Sequence, residues 1–185
     1  MTVGPFGSVD LPFNPLSVAI GAEATFVARA IDTDKKELTD VLRAAAAHRG
    51  AAFVEILQNC NIYNDGAWDS VRDDKTNRLY LRAGEPVVWG DKGVRIGVDG
   101  SAEIVPAESD GLLVHDPGHT EPSVAFALSR LTWDTVGAVP MGVFRDVERP
   151  VYDDGIAQQI REAKERRGEG DLEALLLSGD TWSVS

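Results

Sequence analysis

Few residues of this 185-residue chain have the chemistry of a reaction centre, and they are scattered. Its single cysteine, Cys60, lies in the polar run Gln58-Asn59-Cys60-Asn61-Ile62-Tyr63-Asn64-Asp65-Gly66. A thiolate there could serve as nucleophile, redox group or metal ligand, but a free cysteine is by default a small buried hydrophobe. One cysteine makes no internal disulfide and no complete thiolate metal site within one copy. His48 falls at the expected end of a helix, where an imidazolium complements the dipole, so a structural role is expected. His115 and His119 are four apart, but Asp116-Pro117-Gly118 between them cannot hold a helix. They are expected in surface or turn roles, not as an i, i+4 metal pair. The acid pairs Asp73-Asp74 and Asp153-Asp154 are expected to open turns or helices and not to bind a cation. Trp182 would cover a core or anchor an interface, because Trp buries a large area while keeping one donor. The chain contains no GxxxxGK[ST], no GxGxxG after a strand, no HExxH and no GxSxG.

These groups need elements to hold them. Thr25 to Ile31 reads as a strand, and Ala52 to Leu57 (AFVEIL) as a second, mostly apolar one. Between them Asp34 and Glu37 cap a helix whose apolar set Leu38, Val41, Leu42, Ala45 and Ala46 shares one face, with Gly50 to end it. Strand, helix and strand form a βαβ-type unit of a largely buried parallel sheet, and Cys60 follows the second strand, where open α/β sheets collect their chemistry. Leu16 to Ala22 predicts a short helix lying close to a neighbour at Gly21 and Ala22. Further on, strands are expected at Arg78 to Arg82, Val87 to Trp89 and Gly111 to His115. Val94 to Val98 and Ala102 to Val105 read as a hairpin with a type I′ turn at Asp99-Gly100. Helices are expected over Glu121 to Leu131, Asp153 to Arg167 with Ile156 and Ile160 apolar, and Asp171 to Leu177. Met141 to Phe144 is extended. The proline-rich opening, Met1 to Pro15, carries Phe6, Leu11 and Phe13 and reads as a loop that packs on something.

The composition bounds the function. Thirty acidic against 18 basic residues give a net charge of −12, and the densest basic run, Lys164 to Arg167, is broken by Glu165. Recognition of nucleic acid is therefore not expected. At 43% hydrophobic residues the chain can bury a core. Neither a membrane span nor a signal peptide is visible, so a cytoplasmic protein is expected, with no membrane partner.

Longer runs carry a resemblance. Phe13-Asn14-Pro15, the segment from Gly21 to Arg29, Leu42 to His48 and above all Phe53 to Gly66 are similar to the beta subunit of 2-oxoacid:ferredoxin oxidoreductases, most closely the 2-oxoglutarate type found in actinobacteria. The likeness continues through Leu112 to Asp116, Ala125 to Leu131, Gly142 to Val147 and Ser178 to Trp182. It implies a partial thiamine-diphosphate-binding fold, α/β with a parallel sheet, over residues 1–66. A mixed β/α C-terminal extension would follow over 67–185. By the same resemblance the cofactors are thiamine diphosphate with Mg and one 4Fe-4S cluster, and the alpha subunit completes the site. The implied reaction is oxidative decarboxylation, with electrons passed singly to ferredoxin and the acyl group taken by coenzyme A. Family members hold the cluster with four thiolates, three from early in the subunit and one from the loop that here contains Cys60. Cys60 is accordingly expected as a metal ligand. Gln58 and Asn59 would tune the cluster through hydrogen bonds to sulfur.

The first three cysteines and the Gly-Asp-Gly to Asn segment that binds Mg and diphosphate are missing here. The expectation is a C-terminal portion of the subunit, inactive and poorly soluble alone, that needs the missing N-terminal half of the beta subunit as well as the alpha subunit. No catalytic residue is assigned. Ferredoxins are commonly acidic, so their docking face is expected elsewhere. The alternative is a non-catalytic acidic α/β scaffold module derived from that subunit.

Overall fold

A computed structural model describes residues 12–182 and 184, and the chain divides between Arg149 and Pro150 into two units. The first unit opens with α1 (Pro15–Gly21), β1 (Phe26–Ile31), α2 (Lys35–Ala47) and β2 (Ala52–Leu57). It continues through α3 (Asp69–Asp73), β3 (Arg78–Leu81), β4 (Val88–Trp89), β5 (Lys92–Ile96) and β6 (Ala102–Pro106). The helices α4 (Ser123–Ser129) and α5 (Trp133–Val136) and the strand β7 (Val139–Asp146) complete it. Phe6 and Leu11 lie outside the described residues, whereas Phe13 is exposed.

The expected βαβ unit is present. β1 and β2 pair in parallel from Phe26↔Ala52 to Ile31↔Leu57, and α2 joins them. The Asp34 carboxylate caps α2 by accepting the Glu37 N–H at 3.3 Å. The sheet is mixed, because β7 runs antiparallel to β1 on its other side and parallel to β3, giving the order β2-β1-β7-β3. β1 is buried at all six positions, with Val27 packing among Leu16, Ile20, Leu79, Leu128 and Phe144. Phe26 and Ala28 point the opposite way, toward Val41 of α2, as the two-residue alternation of a strand requires. Burying side chains of this size stabilises by roughly 1.5–3 kcal/mol each.

Several expectations need correcting. β2 is not a buried strand: it is the edge of the sheet, and Ile56 is 41% exposed. On α2, Leu42 and Ala46 face solvent while Glu37 is buried. The covered stripe runs through positions 37, 41, 44 and 45, because Glu37 is held inside by Arg82. α2 ends at Ala47 with His48 as its cap, two residues before Gly50. The close approach of α1 is made at Ser17, whose hydroxyl lies 2.8 Å from that of Ser129, whereas a Cβ placed on Gly21 would meet nothing within 4 Å. The β5–β6 hairpin pairs Ile96 with Ala102, and only Gly100 of its turn has positive φ, +81°. A type I′ turn needs two such residues; instead the Gly97 N–H donates to the Ser101 carbonyl at 2.8 Å and closes a three-residue loop, Val98-Asp99-Gly100, that ends on a left-handed glycine. Gly111 to His115 forms no regular strand. It makes one bridge, Val114 to Pro86, and bonds on to Val87, Val94 and Glu85.

The second unit holds α6 (Tyr152–Arg167) and α7 (Leu172–Leu176), neither with a buried residue. Asp153 and Asp154 open α6, and Lys164, Arg166 and Arg167 close it, both favourable to the helix dipole. Leu172, Leu175 and Leu176 are exposed. Trp182 is 84% exposed, so it is no lid over a core. No helix among the described residues is long and apolar enough to cross a membrane.

Candidate functional site

The loop that leaves β2 is closed on itself by Asn59. Its side-chain carbonyl accepts the Gly66 N–H at 2.9 Å, and its amide donates to Asp65 Oδ1 at 2.9 Å. Gly66 takes φ +77°, a conformation glycine adopts without steric cost. Within this ring Cys60 forms an antiparallel bridge with Asn64, whose N–H donates to the Cys60 carbonyl at 2.9 Å. The backbone N–H groups of Tyr63 and Ile62, and to a lesser degree that of Asn64, act on the Cys60 thiol. They hold the thiol below its ordinary value of 9.0, against burial and the nearby Asp65 charge, which push the other way. The default of an inert buried thiol does not hold, because Cys60 is partly exposed. Beside it Ile62 and Tyr63 are 79% and 72% exposed. A thiolate stabilised by main-chain donors is chemically suited to bind a metal or to act as a nucleophile. Among the described residues no three His, Cys, Asp or Glu side chains gather into a metal site. Cys60 can therefore supply one ligand, and the donors present fit a thiolate-ligated cluster only when other thiolates join it.

A second locus lies across α2. A cavity of about 490 Å³ is lined by Lys36, Glu37, Asp40, Arg82, His115 and Asp146 among others. Glu37 and Arg82 form a two-pronged ion pair at 2.8 and 2.7 Å. His115, expected at the surface or in a turn, is instead 2% exposed. Its Nε2–H donates to the Val143 carbonyl at 2.7 Å, and its Nδ1 has no partner. Burial pushes its pKa below the ordinary 6.5. His119 does sit in a turn, with Nδ1 3.2 Å from the Glu121 carbonyl. His48 bridges Asp146 and Thr25, each at 2.8 Å, and so ties the end of α2 to the sheet. Asp74 opens a short turn by accepting from Thr76, and Asp73 pairs with Arg72.

Three buried charge systems carry no local sequence signal. Arg78 bonds Asp34 at 3.2 Å and also the carbonyls of Val71 and Arg72, each at 2.7 Å. The Tyr80 hydroxyl donates to the same Asp34 oxygen at 2.6 Å, and that bond is the main reason the Asp34 carboxyl stays below its ordinary 3.8. Arg29 pairs with Glu55 across β1 and β2. Arg145 is 1% exposed, reaching Glu23 at 3.3 Å and the Thr120 carbonyl at 3.0 Å, with Nε and Nη1 unpartnered.

The chain has a mixed α/β fold shared with a solved structure. It superposes on a chain of 2-oxoglutarate:ferredoxin oxidoreductase from Magnetococcus marinus, a structure with 2-oxoglutarate, coenzyme A and succinyl-CoA bound, at a TM-score of 0.64 and 22% identity. That match covers 98% of this chain and 50% of the other, and at this identity it speaks for the fold. The sequence goes further. It is 45% identical over 97% of its length to the 2-oxoglutarate oxidoreductase subunit KorB of Mycobacterium tuberculosis. A 2-oxoacid:ferredoxin oxidoreductase beta subunit of Aeropyrum pernix is 30% identical over 84% of this chain, and one of a Sulfolobus species 28% over 63%. This chain is homologous to part of a 2-oxoacid:ferredoxin oxidoreductase beta subunit. It spans 51%, 41% and 45% of these relatives, about half their length, consistent with the C-terminal portion read from the sequence. No protein-family model matches it.

Proposed function

We propose that this chain is part of the beta subunit of a 2-oxoglutarate (2-oxoacid):ferredoxin oxidoreductase, working in the cytoplasm and active only in complex. The observation that carries the reading is 45% identity, sustained over 97% of the chain, to a named subunit of that enzyme. In this reading residues 1–66 belong to the thiamine-diphosphate-binding domain and 67–185 to an extension of it. Cys60 is one thiolate ligand of a 4Fe-4S cluster, which when bound relays single electrons to ferredoxin. The chain's own contribution is preparation of that ligand. The N–H groups of Tyr63, Ile62 and Asn64 favour the deprotonated sulfur, and Asn59 fixes the loop that carries it. Exposed Ile62 and Tyr63 give the loop an apolar face to pack against the protein that brings the other three thiolates. In this reading the binding of thiamine diphosphate, Mg and coenzyme A falls largely to the remainder of the beta subunit and to the alpha subunit.

The test is anaerobic co-production of the chain with the alpha subunit and the remaining half of the beta subunit. A brown complex that decarboxylates 2-oxoglutarate with coenzyme A and reduces ferredoxin is expected, and Cys60→Ala should remove the reduced-cluster EPR signal. A colourless complex, or one whose cluster survives Cys60→Ala, would refute the assignment and favour the scaffold reading.

A further inference from the structure

Asp65 carries a charge that its surroundings do not neutralise. Among the described residues no Lys or Arg pairs with it, whereas Asp69 and Asp73 farther along the chain both pair with Arg72. What holds the carboxylate is the Asn59 amide, which donates to its Oδ1 at 2.9 Å. That amide cannot turn round, because its oxygen accepts the Gly66 N–H at 2.9 Å, and a flip would set oxygen against carboxylate and NH2 against N–H. Asp65 is thereby tied to the residue that directly precedes Cys60, and its own chain neighbour, Asn64, is bridged to Cys60 itself. The charge already reaches the Cys60 sulfur, where it works against the main-chain N–H groups. It is the weakest influence there while the side chain stays in water, which screens it.

We propose that Asp65 lowers the reduction potential of the cluster ligated by Cys60, with Asn59 as the residue that positions its charge. The inference rests on the function proposed above and concerns the tuning of that same site. Each electron taken from the substrate is held as a one-electron reduction before it passes to ferredoxin, so the potential decides how completely that second transfer runs. A fixed negative charge beside a ligand sulfur makes the added electron less favourable. N–H groups directed at a ligand sulfur act in the opposite sense, so the donors that prepare the Cys60 thiolate would by themselves leave a weaker reductant. Asp65 offsets them from within the same loop. Packing of exposed Ile62 and Tyr63 against the rest of the enzyme takes water from that loop, and the carboxylate's field strengthens as water leaves. Asn59, expected to tune the cluster by a bond to sulfur, acts in this arrangement through Asp65.

The experiment is an EPR-monitored redox titration of the anaerobic complex formed by the full 185-residue chain, the remaining half of the beta subunit and the alpha subunit. Asp65→Asn keeps the size of the side chain and an oxygen for the Asn59 amide but removes the charge. At a fixed applied potential its ratio of reduced to oxidised cluster is expected to rise at least about threefold over the parent complex, with iron content unchanged. Asp65→Ser, a second neutral variant, should shift the ratio in the same direction. Asp65→Glu keeps the charge and should move it far less, and Asn59→Ala, which frees the carboxylate, part of the way. A merely structural role for Asp65 would instead cost iron or alter the EPR line shape without a directed shift of the midpoint. A midpoint unchanged or lower in Asp65→Asn overturns the proposal and leaves the enzyme reading intact. Loss of the cluster from both neutral variants would show that the carboxylate serves assembly, and overturns it too. A colourless parent complex refutes the proposed function itself, and this inference with it.

Discussion

Because the Tyr63 and Ile62 N–H groups act on the Cys60 thiol, its thiolate forms below pH 9.0 in the metal-free chain. The pH profile of iodoacetamide alkylation is expected to have its midpoint below that value. A midpoint at or above it would show that the loop does not prepare the ligand. Asp34 joins the start of α2 to Arg78 and Tyr80 of β3. Arg78, with only 2% of its side chain exposed, would be left with a buried and uncompensated charge by Asp34→Ala. That substitution also removes the α2 cap, and a loss of about 3 kcal/mol or more in urea denaturation is expected. Two groups make the fold sensitive to acid at different pH. His115 has a folded pKa lowered from 6.5, so its contribution is present above 6.5 and is lost as pH falls through the lowered value. Asp34 is likewise lowered, from 3.8, so its contribution fades only as pH drops below that. Stability measured against pH is expected to decline in two stages, and His115→Gln should flatten the upper one alone.

The strand β7 joins the two sides of the sheet, and Gly142 is where it is most constrained. Its φ is +108°, and a Cβ there would sit 2.8 Å from the Leu81 carbonyl oxygen. Gly142→Ala is therefore expected to cost about 1–3 kcal/mol, seen as a lower unfolding midpoint, whereas Gly21→Ala, with open space around it, should cost far less. Elements whose signals are local were legible in the sequence. β1, α2 and β2 announce themselves by periodicity and by the Asp34 cap, and α6 by Ile156 and Ile160 one turn apart behind the Asp153-Asp154 start. What stayed hidden depends on distant partners. Nothing near Ala52 to Leu57 says that the strand is an edge, since that depends on which other strands fold beside it. Glu37 lies on the covered face of α2 only because Arg82, 45 residues on, meets it there. His115 is buried because Val143 supplies an acceptor from β7. At the candidate site Cys60 and its loop were readable, through composition and resemblance. The main-chain donors that prepare its sulfur were not, because every residue type carries the same N–H.

At the scale of the molecule, a charge of −12 coexists with exposed Ile62, Tyr63, Leu172, Leu175, Leu176 and Trp182. Charge repulsion keeps such surfaces apart in dilute buffer, and it is screened by salt. Raising sodium chloride to about 0.5 M is expected to increase the weight-average mass in light scattering. An unchanged mass would mean that the apolar groups are too dispersed to associate. The sheet order has a further bearing, on how the protein is made. β1 must pair with β7, so Phe26 meets Asp146 across 119 intervening positions. A ribosome adding residues at about 5–20 per second needs on the order of ten seconds between releasing β2 and completing β7. Through that interval the edge of β1 that β7 will occupy stands open, when its exposure to chaperones and to neighbouring nascent chains is greatest.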